Sequence, residues 1–272
     1  MAMNKFYIFG GCSFTDMSNS WARVIQEKCL SNPKHSKNCA KSGAGNKFIA
    51  SAVIDTALKV EKLGFLPDIS IRWSSPTRFE LPINFETPFV NQLFEESRRQ
   101  NNDFNPGTFL HHNITGEIDR SSVDNFWLMQ CSKVTSKTKW THDKAIDDLY
   151  VDMFEKFQEF LWNSNYQWHN TLTSILSVQW LCETKKWPYR FTTFREGLGE
   201  YTKHCSPQFL SLQQEINWDK FIFTNDNYGG LREFTLSTIN TWDDGYDNHP
   251  SHDAHKLFVN DFWLKKFPDT YL

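Results

Sequence analysis

The chain has 272 residues, with 29 Lys+Arg against 32 Asp+Glu and a formal net charge of -3. That suits one large domain and excludes a nucleic-acid binder that relies on a broad basic face. Aromatic residues make up 16% and charged residues 22%, which implies a globular chain with a Phe- and Trp-rich core and excludes a disordered one.

Lys5–Gly10 is a short apolar run ended by Gly10-Gly11 and reads as a buried strand, not as a signal peptide. Asp16 or Ser18 can cap a helix whose apolar face is Trp21, Val24, Ile25 and Cys29. Asn38–Lys41 suits a short second strand. Gly43–Asn46 is a tight turn before a helix over Lys47–Leu63, closed by Gly64. Asp68–Trp73 alternates as a third strand. This β-α-β-α-β rhythm predicts an α/β fold with a doubly wound parallel sheet.

From Pro76 to Trp140 the rhythm breaks, and residues 76–140 read as an irregular or helical insertion covering one rim of a single domain spanning 1–272. Order returns with an amphipathic helix over Asp143–Trp162 and a second helix over Trp168–Lys185. Tyr189–Phe194 and Asp219–Thr224 are the fourth and fifth strands. A last helix runs over Asp253–Lys266, with Leu257, Phe258, Phe262 and Leu264 facing in. No apolar run reaches the ~18 residues of a transmembrane helix. The cysteines Cys12, Cys29, Cys39, Cys131, Cys182 and Cys205 form no CxxC pair. The expectation is a cytoplasmic protein with reduced thiols, and with neither membrane nor nucleic acid as partner.

Ser13 follows the first strand directly, where an open α/β sheet binds ligands beside a helix N-terminus. It is either a cap or a nucleophile, and a nucleophile needs a base. The segment Tyr246–His255 offers one: Asp247 can orient His249, with Pro250 stiffening the loop. His249, His252, His255 and Asp253 are also a conceivable zinc set. Spacing by three drifts around a helix, however, and the expectation is no metal.

These motifs together resemble the SGNH/GDSL hydrolase superfamily, in particular its GCSFT-type members, which are often phage-encoded. Gly11–Thr15 is similar to the first block, Ser42–Asn46 to the second and Asp247–Ser251 to the last. The resemblance implies a flavodoxin-like sheet and a catalytic triad of Ser13, Asp247 and His249. It implies Gly43 as an oxyanion-hole glycine, with Ser74 or Asn46 as helper. Two positions depart from the pattern. The third block, Gly-x-Asn-Asp, is replaced by Arg72–Arg78, so that Ser74, or else Ser75, stands for its Asn. The final block is Asp-x-His instead of Asp-x-x-His, with Tyr246 at the family's Asp position and Asp244 as a substitute. Cys12 stands where the family name has Asp and reads as a packed residue beside a functional Ser13.

The function so implied is hydrolysis of small, acetyl-type esters on a carbohydrate, without cofactor. Trp73 and Arg78, with Phe79 and Trp127, are the candidate substrate platform. An O-acyltransferase on the same scaffold, and a non-catalytic glycan-binding or virion-associated protein, are the alternatives.

Overall fold

The structure is a computed structural model. It describes residues 4–41, 43–76, 78–83, 108–112, 126–130, 164–193, 207–224, 229–238 and 249–268, with isolated positions between 148 and 159. The chain opens with β1 (Lys5–Gly10), the one-turn helix α1 (Ser13–Asp16), α2 (Trp21–Lys28), β2 (Ser36–Asn38), α3 (Asn46–Lys62) and β3 (Leu66–Trp73). Then come β4 (Phe79–Ile83), β5 (Thr108–His112) and β6 (Phe126–Gln130). The last described part holds α4 (Ser164–Lys185), β7 (Tyr189–Thr193), α5 (Pro207–Gln214), β8 (Phe221–Ile222), α6 (Leu231–Thr238) and α7 (His252–Phe258).

Five strands form one sheet in the order β2-β1-β3-β7-β8, and every neighbouring pair is parallel. Counting only this sheet's strands, the order is 2-1-3-4-5, and the winding reverses between β1 and β3. Successive residues of a strand face opposite sides, and the two cores follow from that. Ile8, Ile69, Ile71, Trp73, Phe191 and Phe221 join α3 and α4 on one face. Phe9 and Ile222 join α2, α6 and α7 on the other. Helices thus cover both faces, as a parallel sheet requires.

The second face carries a polar seam. Asp68, Ser70 and Arg72 alternate along β3 with Ile69 and Ile71, and all three are buried. Arg190 on β7 answers them: Nη2 pairs with Asp68 Oδ1 at 2.5 Å and Nη1 donates to Ser70 Oγ at 2.9 Å. Around the seam, aromatic rings fill the volume. Trp21 meets Trp263 at 4.6 Å and Phe9 at 5.8 Å between centroids, contacts worth about 0.5–1.5 kcal/mol each beyond area.

Several expected elements differ. The cap of α2 is Ser20, whose hydroxyl accepts from Arg23 N, because Ser13–Asp16 already forms its own turn. The second strand lies earlier, at Ser36–Asn38, where it pairs with Tyr7–Phe9. Within 76–140 the described residues include β4, β5 and β6, which pair antiparallel as a separate sheet in the order β4-β6-β5; beyond Pro76 and Arg78, the rest of the expected insertion lies outside the described residues. The helix expected over Asp143–Trp162 lies mostly outside the described residues; positions 148, 151–152, 155–156 and 159 are helical. The last helix is interrupted after Phe258 by a π turn, Val259–Trp263. α7 turns Ala254, His255 and Phe258 inward at helical spacing, which leaves Leu257 37% exposed, and the π turn continues the inward face with Val259 and Trp263. Among the described residues, no helix is long and apolar enough to cross a membrane.

Candidate active site

The site lies at the carboxyl ends of β1 and β3, where the winding reverses. Two glycines let the chain turn there. At Gly10 a side chain would meet Val53 Cγ2 at 2.5 Å; at Gly11 it would fall on the Thr15 side chain. Cys12 then caps α1, its carbonyl accepting from Thr15 N at 2.8 Å and Asp16 N at 2.9 Å. Ser13 is therefore the first helical residue, half-buried and turned outward.

Thr15 anchors this turn from beneath. Its hydroxyl accepts from Trp21 Nε1 at 3.0 Å and from Arg72 Nε at 3.4 Å. Its carbonyl accepts from Ser20 Oγ at 2.9 Å and Asn38 Nδ2 at 2.6 Å. α2, β2 and β3 thus all hold the same loop.

His249 arrives from the other end of the chain. Its Nε2 lies 2.8 Å from Ser13 Oγ, across 236 positions of sequence. That is ordinary hydrogen-bond reach for a nucleophile and its base. The imidazole packs on Phe14, centroids 4.7 Å apart. Pro250 is buried, and Ser251 caps α7 by accepting from Ala254 N. His252 Nδ1 donates to the Asn19 carbonyl at 2.9 Å, tying the start of α7 to the α1–α2 turn. Asp247, with Asp244 and Tyr246, lies outside the described residues.

His255, one turn further, is completely buried. Neither ring nitrogen has a hydrogen-bond partner among the described residues. Burial, then the charges of Arg72, His252 and His249, push its pKa well below the usual 6.5, so it is a neutral imidazole. The three histidines therefore serve three places: Ser13, the Asn19 carbonyl and the interior. Among the described residues, no group of three His, Cys, Asp or Glu side chains converges as a metal site.

The second block supplies a backbone corner. Gly43 is buried with φ +80°, in the left-handed region that favours glycine. Asn46 opens α3, and its amide is fully engaged. Nδ2 donates to Ser74 O at 3.1 Å and Thr171 Oγ1 at 3.0 Å, while Oδ1 accepts from Ser74 N at 2.8 Å. Asn46 thus corrects the expectation of an oxyanion donor: it laces the end of β3 to α3 and α4. Ser74 is buried too, its hydroxyl beside the Cys12 sulfur. Trp73 is likewise corrected. It is completely buried, edge-on to Phe191 at 5.4 Å, because its strand position faces the α3–α4 core. It is no substrate platform. Arg78 is half-buried, its Nη1 donating to Ala44 O at 3.3 Å beside the Gly43 corner. The side chains of Phe79 and Trp127 lie outside the described residues.

The residue that sequence reasoning overlooked is Arg72. It is completely buried at the end of β3, and its Nη2 donates to Cys12 Sγ at 2.8 Å. Burial raises the Cys12 pKa, but Arg72, then Arg78, the Phe14 N–H and the Ser74 hydroxyl outweigh it and hold the thiol at about 7. Burial pulls the Arg72 pKa down to about 10 against the raising effect of Cys12. The available signal was an arginine at the end of a strand, alternating with isoleucines, that leads into the site.

Comparison of the chain with protein-family models, with curated proteins and with solved structures finds no match in any of the three.

Proposed function

We propose that the chain is a serine hydrolase of SGNH/GDSL type that cleaves small acyl esters. The observation that carries this reading is the 2.8 Å contact between Ser13 Oγ and His249 Nε2. The 2-1-3-4-5 strand order and the position of the pair at the winding reversal support it.

In this reading His249 takes the Ser13 proton as the oxygen attacks the acyl carbon, then returns it to the leaving alcohol. An acyl-serine forms, and a water activated by the same imidazole releases it. The Ser13 and Gly43 N–H groups stabilise the oxyanion, each such donor worth about 10²–10³ in rate. Asn46 is left out of the hole because its amide is engaged elsewhere. Asp247 retains the role of orienting His249 that the resemblance implies. Arg78 stands at the Gly43 corner as the substrate-facing side chain. The carbohydrate carrier rests on the resemblance alone, since Trp73 is interior.

The test is covalent labelling with a fluorophosphonate probe. The wild type should label, Ser13→Ala should not, and His249→Ala should label about 10²–10⁴-fold more slowly. Folded wild type that resists the probe would sink the reading and favour a binding protein. Product analysis with and without an acceptor sugar then separates hydrolysis from acyl transfer.

A further inference from the structure

A guanidinium removed from water costs several kcal/mol, on the order of a full ion's desolvation, unless an anion faces it. Arg72 is completely buried, and the group its Nη2 meets is the Cys12 sulfur, 2.8 Å away. Two further contacts lie on the same turn. Nε donates to Thr15 Oγ1 at 3.4 Å, and the guanidinium carbon lies 4.4 Å from the centre of the Phe14 ring. Arg72 therefore grips the residues on both sides of Ser13. Phe14 in turn backs the His249 ring at 4.7 Å. Cys12 is as deeply buried as Arg72, out of reach of substrate.

We propose that Cys12 and Arg72 form a buried thiolate–guanidinium ion pair that positions the Ser13–His249 dyad, with Cys12 a positioning residue and not a second nucleophile. The inference rests on the dyad reading above. The thiol gives up its proton and the guanidinium keeps its own, so the pair is neutral as a unit. A protonated thiol is only a weak acceptor for the Nη2 donor, whereas a thiolate matches its charge at that 2.8 Å contact. The surroundings favour the charged sulfur: Arg72 from β3, Arg78 and the Ser74 hydroxyl from the segment after it, and the Phe14 N–H from α1. On the far side His255 of α7 faces Arg72 and stays neutral.

The experiment measures fluorophosphonate labelling of Ser13 across the neutral pH range in wild type, Cys12→Ser and Cys12→Asp. Circular dichroism checks each fold, and the ultraviolet thiolate band is recorded for each. Cys12→Ser, close in size but neutral, should label about tenfold or more slowly, since small displacements of a dyad are costly. Cys12→Asp restores the charge and should recover most of that rate, with an acid limb moved to lower pH. The native wild type should carry a thiolate band that both variants lack. Equal rates in wild type and Cys12→Ser overturn the proposal, as does a folded Cys12→Asp no faster than Cys12→Ser, or a native protein without the band. If Cys12→Ser does not fold, Cys12→Asp and the wild-type band still decide. An unlabelled wild type refutes the dyad reading itself, an outcome distinct from a labelled wild type whose rate ignores Cys12.

Discussion

Replacing Gly11 by Ala tests how tightly the Ser13 turn is held. The new methyl would land on Thr15 Oγ1, 2.7 Å from Thr15 Cβ and 3.3 Å from the Arg72 carbonyl oxygen. Thr15 cannot swing aside easily. Trp21 and Arg72 hold its hydroxyl, and Ser20 and Asn38 hold its carbonyl. The turn must therefore move by more than the 0.7 Å that would restore a 3.4 Å contact with Thr15 Cβ alone, because Thr15 Oγ1 lies closer still. Overpacking of this kind costs about 1–3 kcal/mol. A displacement approaching 1 Å at the nucleophile lowers reactivity by about 10²-fold. Urea unfolding reads the first effect and fluorophosphonate labelling the second. Gly64→Ala is the control: its φ is +86° and a methyl there meets nothing within 4 Å. It should lose about 1–2 kcal/mol and label at the wild-type rate. Gly11→Ala labelling as fast as wild type, or losing no more stability than Gly64→Ala, would refute the reasoning.

Three further outcomes are expected. Asp68→Asn leaves Arg190 buried beside Ser70 without its anion and should destabilise by about 3–5 kcal/mol in urea titration. Asn46→Ala strands the buried N–H and carbonyl of Ser74 and should cost about 2–4 kcal/mol, measured the same way. His255 has a folded pKa below its unfolded 6.5, so the unfolded chain binds the extra proton as pH falls. Stability is therefore complete above about 6.5 and lost below it. His255→Phe should flatten that acid slope in thermal unfolding scans, and an unchanged slope would contradict the assignment.

Much of the first half of the sheet was legible because its signals are local. Lys5–Gly10 is an apolar run stopped by glycines, and the helix before Gly64 has an unbroken period. The pairing of Ser13 with His249 was legible through motif chemistry, although no local pattern joins them. What escaped the sequence is long-range pairing of charge. Asp68, Ser70 and Arg72 alternate with apolar residues, yet β3 is central in a sheet covered on both sides, so all three are buried. Their partners, Arg190 and Cys12, lie 122 and 60 positions away. Trp73 and Asn46 were misjudged for the same reason: each sits at the rim of the site in sequence but is turned inward by its place on β3 or α3. The π turn after Phe258 was hidden because an inserted backbone residue leaves no mark on composition.

The 236 positions between Ser13 and His249 also set when the serine becomes reactive. The entropy of closing so long a loop grows only with the logarithm of its length, so the separation is a mild thermodynamic burden. Its effect is on timing. A chain that has formed β1 but not yet docked α7 against α2 carries an ordinary hydroxyl at position 13, with no base beside it. Under the proposed reading, acyl transfer to the serine is then confined to molecules in which α7 is in place. Probe reactivity at Ser13 consequently reports completed folding of a segment that the probe never touches.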